Sequence, residues 1–390
     1  MIIKNANLVQ DSSITLKDIR IADGIISSIT DSGGSVDMTE EVLDVHGLYL
    51  SHGFLDIHVH GGGGGDFMDG TKEAWHQAAS LHLKHGTTGL LPTTLAAGYD
   101  KLVHALELYN QLKCGFPDSA RLLGIHIEGP YLSRSQCGAQ DPAYIRDPNP
   151  GEYKELLSLC PDILRWTIAP ELPGAFDMGD YLAERGVLPC IGHSDADYST
   201  VREAVSHGYR HITHLYSAMS TIVRKGGFRQ AGIVESAYLL PELSSEIISD
   251  GCHLPPSLLT MAYRLIGPDR LALVTDSMRA AGESSGTSIL GSLKNGQTVI
   301  LEDGVAKMPD RTAFAGSICT ADRLVRNMVR MAGASLPDAI RMVTETPARI
   351  MNLDKTTGRV EAGRTADLVI FDDRINIRYV FIGGKLINQE

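Results

Sequence analysis

Residues 53–60 read Gly53-Phe54-Leu55-Asp56-Ile57-His58-Val59-His60, an apolar run that closes on two histidines one residue apart. Alternate side chains of a strand face the same way, so His58 and His60 point together. Where the ends of parallel strands form one face of a barrel, two such imidazoles can share a metal ion. An H-x-H pair is common in a chain with 14 histidines, so its meaning depends on what the other strands carry.

From position 53 onward, short apolar runs that end in polar residues alternate about eight times with segments of helical pattern, which predicts βα units around a parallel barrel. The predicted strands are 53–60, 88–93, 122–128, 164–170, 187–193, 211–215, 246–250 and 271–276. Glu128 ends the third, His193 the fifth, His214 lies in the last part of the sixth and Asp276 ends the eighth. A carboxylate among four imidazoles is N/O ligation suited to Zn, Fe, Mn or Co, and the residue types do not choose among these metals.

Helix signals fill the intervals. Over 196–207, Val201, Ala204 and Val205 recur at helical spacing, Asp195 stands where a cap is expected and Gly208 ends the run. Trp75 and His76 fall in another helical pattern and read as exposed. Residues 296–309 read instead as strand and turn, with Asp303-Gly304 a hairpin signal, and predict an insertion after the eighth strand. Gly61–Gly65 has neither the P-loop ending nor the Rossmann spacing and reads as a flexible lid edge.

Both ends of the chain carry short alternating runs, Ile19-Arg20-Ile21 and Ile25-Ile26 at one end and Leu368-Val369-Ile370 at the other. They predict a small β-domain built from both termini. The expected architecture is therefore α/β: a (β/α)8 TIM barrel over 53–354 with a small β-sandwich domain from 1–52 and 355–390.

The 390 residues suffice for such a barrel plus a module. With 47 acidic against 35 basic residues the formal charge is -12, and no Lys/Arg run could track a phosphate backbone, which argues against nucleic acid as a partner. No uninterrupted apolar stretch approaches about 18 residues and the first residues lack an apolar signal core, so neither membrane span nor export is expected. Cys114, Cys137, Cys160, Cys190, Cys252 and Cys319 form no C-x-x-C pair, which suits reduced thiols in a cytoplasm; Cys252, beside His253, is the one placed to line a site.

The motifs DIHVHG (56–61), HIEGPYL (126–132), IGHSDA (191–196), HITHLY (211–216), SDGCHLP (249–255) and VTDSM (274–278) together resemble the N-acetylglucosamine-6-phosphate deacetylases of the amidohydrolase superfamily, and the likeness runs over essentially the whole chain. The resemblance implies hydrolysis of the N-acetyl group of an amino-sugar 6-phosphate by a cytoplasmic homodimer. It implies two divalent metals per subunit, one held by His58 and His60, the other by His193 and His214, joined by Glu128; relatives without the H-x-H pair use one metal, so one remains open here. Asp276 would be the acid/base.

For the substrate, the resemblance points to His253 after Asp250-Gly251-Cys252 as a phosphate-side contact, and to the backbone around Ser217 and Ala218, where relatives usually carry Asn at 217. Arg224 and Lys225 would reach the phosphate across a dimer interface. Phe314-Ala315-Gly316 matches a further contact segment loosely. A sharper departure is Gly138-Ala139-Gln140, where the family usually reads Gly-Ala-His: Gln140 can donate a hydrogen bond but cannot become cationic, which shifts carbonyl polarisation towards a metal. The rival readings are the galactosamine epimer or another N-acyl sugar as substrate, a cyclic-amide hydrolase, which would commonly bridge its metals with a modified Lys, and a catalytically inactive scaffold on the same fold.

Overall fold

The computed structural model describes residues 1–34 and 40–389. Its centre is a curled parallel sheet whose strands follow chain order: β1 (Phe54–Val59), β2 (Thr87–Pro92), β3 (Ile125–Glu128), β4 (Ile163–Ile168), β5 (Leu188–Ile191), β6 (His211–Ile212), β7 (Ser244–Ile247) and β8 (Leu271–Leu273). β1 pairs with β2, and β3 through β8 pair in succession. A parallel bridge between Thr93 and His126 links β2 to β3, and beyond β8 the Asp276 N–H donates to His58 O at 2.9 Å, bringing the end of the eighth segment beside the first.

All eight predicted strands are found, most of them shorter than the apolar run, the second shifted by one residue at equal length. The runs are continuous because strands packed on both faces have no solvated side; Phe54, Leu55, Ile57 and Val59 of β1 are all buried. Helices such as Lys72–Lys84, Tyr99–Leu112 and Ala321–Ala332 cover the outside and join the same hydrophobic core.

Three local expectations need correction. Trp75 is 1% exposed, packed edge-on to Phe67 with its indole N–H donating to Phe67 O, because the helix Lys72–Lys84 turns that face inward. The helix expected over 196–207 is Tyr198–Ser206, capped by Asp197, whose carboxylate accepts from Thr200 N–H at 2.9 Å; Asp195 instead accepts from Ser135 and Gln136. The glycines at 61–65 are a packed two-residue hairpin rather than a lid edge: Gly61–Gly62 pairs with Gly65–Asp66, and a Cβ on Gly65 would lie 2.2 Å from Ala74 O.

The insertion after β8 is a three-stranded antiparallel meander, Gly286–Leu290, Gln297–Glu302 and Val305–Lys307. Its second turn is Asp303-Gly304, with φ of 55° and 78°, the left-handed pair that a tight hairpin requires.

The two termini meet in one eight-stranded sheet, in which Tyr49–His52 pairs in parallel with Ile2–Gln10 on one side and antiparallel with Leu368–Phe371 on the other. The sheet curls back so that Ile25 bridges Thr365, enclosing Ile3, Ile19, Ile26, Leu50, Ile370 and Phe381. Among the described residues no helix is long and apolar enough to cross a membrane.

Candidate active site

Every predicted metal ligand lies at or just beyond the carboxyl end of a central strand. His58 is within β1 and His60 one residue past it, Glu128 is the last residue of β3, and His193 and His214 each follow β5 and β6 by two residues. Asp276 follows β8 by three. His193, His214 and Asp276 have φ of 48°, 28° and 44°. A non-glycine residue held in this left-handed region is strained, and the surrounding packing must maintain it. These side chains nonetheless converge with those of His58, His60 and Glu128.

The result is one buried cluster. His58, His60 and Glu128 form one set able to hold a metal, and Glu128, His193 and His214 form a second. Glu128 Oε1 lies 3.2 Å from His193 Nε2 and 3.0 Å from His214 Nε2, while its Oε2 lies 3.2 Å from His60 Nε2. The Nε2 atoms are 3.3 Å apart in the His58–His60 pair and 3.1 Å apart in the His193–His214 pair. Ligand atoms around a tetrahedral ion with bonds of about 2.0–2.1 Å are about 3.3 Å apart, so both sets fit a divalent metal. The donor chemistry, N and O with no thiolate, fits the same group.

Asp276 completes the cluster, its Oδ1 being 3.1 Å from His60 Nε2 and 3.4 Å from His58 Nε2. Burial pushes the Glu128 carboxyl up, but the His58 charge and hydrogen bonds from His193 and His214 outweigh it and hold the group well below the ordinary Glu range. Asp276 is likewise pushed up by burial and drawn below its ordinary value by His58 and His60. Burial lowers His60, yet the two carboxylates raise it to about 9. Two ionised carboxylates facing proton-hungry imidazoles make a pocket that demands positive charge, which protons and metal ions compete to supply.

The cluster forms the floor of a cavity of about 520 Å³. Ala139, Gln140, Ser217, Ala218, His253, Phe314 and Gly316 line it, as expected. Gln140 is fixed at both ends, its N–H donating to Glu128 Oε2 at 2.6 Å and its oxygen accepting from Ala96 N–H at 2.8 Å. The other named residues stand back from the cavity wall. Asp250 is buried behind His253, accepting from its Nδ1 at 2.8 Å, and so sets the ring that meets Phe314 edge-on. Gly251 packs near Asn327 and Met331, Cys252 turns its Sγ to Asp303 O at 3.4 Å, and Ala315 is buried. Arg224 and Lys225 sit on an exposed hairpin, Val223–Lys225 with Phe228–Gln230, whose Phe228 is 80% exposed.

Several residues of the site carried no signal that sequence reasoning used. Ser135 and Gln136 enter the cavity from the loop after HIEGPYL, and the Gln136 backbone oxygen accepts from His193 Nδ1 at 2.9 Å. Leu290 and Thr312 come from the insertion. Glu246, the acid of the buried strand β7, pairs with His58 Nδ1 at 2.7 Å; an acid directly before Ile247 and Ile248 was the available clue.

Comparison with known proteins agrees with this geometry. Residues 49–387 match the amidohydrolase family. The chain is 33% identical over 393 residues to the N-acetylglucosamine-6-phosphate deacetylase of Lysinibacillus sphaericus, spanning 99% of this chain and 97% of that protein. It is 30% identical over 383 residues to the N-acetylgalactosamine-6-phosphate deacetylase of Escherichia coli O157:H7, covering 97% of each. Among solved structures it superposes with a TM-score of 0.90 on a variant N-acetyl-D-glucosamine-6-phosphate deacetylase of Mycobacterium smegmatis in complex with N-acetyl-D-glucosamine-6-phosphate, at 30% identity and 99% coverage of both chains. A family match over most of the chain, together with a relative aligned over nearly its full length and a superposable solved structure, places this protein in the amidohydrolase family, among the N-acetylglucosamine-6-phosphate deacetylases.

Proposed function

We propose that this chain hydrolyses the N-acetyl amide of N-acetylglucosamine 6-phosphate, releasing acetate and glucosamine 6-phosphate in cytoplasmic amino-sugar breakdown. The observation that carries the reading is Glu128 shared between two histidine pairs, with Asp276 beside it, on the floor of the 520 Å³ cavity. The scaffold is read as a closed (β/α)8 barrel over 53–354 with the sandwich-like terminal domain from 1–52 and 355–390.

His58, His60 and Glu128 would hold one divalent metal, and Glu128, His193 and His214 a second, drawn from Zn, Fe, Mn or Co. Such a metal supplies hydroxide near neutral pH and a Lewis acid for the amide carbonyl. Asp276, ionised and at the cavity floor, accepts the proton of the attacking water on its carboxylate. As the C–N bond breaks and the new C–O bond is retained in acetate, it returns that proton to the departing amine. Gln140, anchored between Ala96 and Glu128, offers the carbonyl a neutral donor only.

His253, Ser217 and Ala218 line the same cavity and are the candidates to hold the sugar phosphate. Arg224 and Lys225, on a hairpin exposed in the single chain, would reach the phosphate of a partner subunit in a homodimer. The galactosamine 6-phosphate epimer is a second reading, favoured by the relative that carries that name and by Gln140 and Ser217 standing where substrate is held.

The test is acetate release from both epimers by one purified sample whose metals are counted by elemental analysis. Turnover of the glucosamine epimer in metal-loaded protein is the expected result, and a faster galactosamine epimer selects the second reading. Tight substrate binding without turnover in a fully loaded sample would overturn both.

A further inference from the structure

The two halves of the metal centre differ in what stands behind their histidines. His58 Nδ1 meets the carboxylate of Glu246 at 2.7 Å. Among the described residues, His60 Nδ1 meets only the backbone oxygen of Thr93, at 3.2 Å, and His193 Nδ1 only that of Gln136. His214 Nδ1 is buried and has no hydrogen-bond partner among the described residues. An imidazole that gives its far N–H to a carboxylate is fixed in one tautomer and orientation and is a more basic ligand than one backed by a neutral carbonyl.

Glu246 is itself held on all sides. It sits in β7, fully buried, and its Oε2 accepts from Arg165 of β4 and lies 3.0 Å from His211 Nε2 of β6. Its Oε1 also accepts the His214 backbone N–H at 3.2 Å. Arg165, equally buried, donates further to Ile57 O at 3.2 Å and to Thr213 Oγ1 at 3.1 Å. The guanidinium offsets the carboxylate charge, so Glu246 can accept a hydrogen bond from a neutral His58 although all three groups are buried. Isolated ions there would be costly, and neither group faces the cavity.

We infer that Glu246, braced by Arg165, is a positioning residue that fixes the His58 ring with Nε2 towards Glu128 and His60, so that the His58–His60 half of the centre holds its ion more tightly than the His193–His214 half. This rests on the two-metal reading proposed above. Because Glu246 contacts the other half only through a backbone N–H, its loss falls on one half.

The test is zinc binding by the full chain across a series of zinc buffers, with bound metal counted by elemental analysis, for the wild type, Glu246→Gln and Glu246→Asp. The Asp variant keeps a negative charge for Arg165 while drawing the carboxylate back from His58. The expected result is two unequal zinc sites in the wild type, with the tighter weakened about 10–100-fold in both variants and the other unchanged. Wild-type affinities at both sites in the variants, or a loss confined to the weaker site, would overturn the inference. A wild type that binds no zinc overturns the proposed metal chemistry and this inference with it. In the unmutated zinc-loaded protein, the 1H–15N spectrum must show His58 as the Nδ1–H tautomer; the opposite tautomer overturns the inference however the variants fold.

Discussion

Gln140 and Glu128 are joined side chain to side chain, the Gln140 amide N–H resting 2.6 Å from Glu128 Oε2. The carboxylate shared by both histidine pairs is thus tethered by a neutral amide that lines the same cavity. Replacing it tests how much the neutral amide contributes. Gln140→Ala removes a charge-assisted hydrogen bond and a cavity-side donor, and should lower kcat/KM about 100-fold with bound metal retained. Gln140→His should keep measurable turnover. Steady-state acetate release against metal content separates these outcomes.

Asp276→Asn should lower kcat about 1,000-fold, the scale of a lost general acid/base, with little change in KM. Its carboxylate is not needed to complete either three-residue metal set, so the metal count should stay at the wild-type level. A variant with unchanged kcat would remove Asp276 from the reaction.

Removing the metals should both abolish turnover and destabilise the fold, since four imidazoles and Glu128 would then face one another without a cation. An ion free at about 100 times its Kd stabilises the native state by about 2.7 kcal/mol. Chelation should accordingly lower Tm, and zinc should restore Tm and activity together. Full activity in a sample shown to be metal-free would contradict the mechanism.

His82 offers a pH test away from the cavity. It is buried with Nε2 3.0 Å from Gly61 O, and burial pushes it down to about 4 from 6.5. The folded chain therefore binds fewer protons here than the unfolded one. The stability it supports is complete above about pH 6.5 and is lost as pH falls through about 4, by about 2 kcal/mol between pH 7 and pH 5. Asp56 and Asp66, both raised to about 6 by burial, act in the opposite sense. The readout is consequently the difference between wild type and His82→Gln in urea unfolding at the two pH values; a pH-independent difference would refute the assignment.

The sequence alone determined the parallel strands and the residues that cluster at their carboxyl ends. A strand's period of two put His58 and His60 on one side, and a polar residue closing an apolar run marked Glu128, His193, His214 and Asp276 as strand-end groups, because the carboxyl ends of such strands share one face. The Asp303-Gly304 hairpin was equally legible, since left-handed backbone is cheap for those residues. Tertiary structure decided the rest. These residues come from segments far apart in the chain, so nothing local could show that Ser135, Leu290 and Thr312 meet at one cavity while Arg224, Lys225 and Cys252 stand away from it. The left-handed bends at His193, His214 and Asp276 are strained locally and persist only in the assembled fold. Glu246 could be seen as a misplaced acid in a strand, but its partners Arg165, His211 and His58 come from three other strands, and only the curled sheet brings them together.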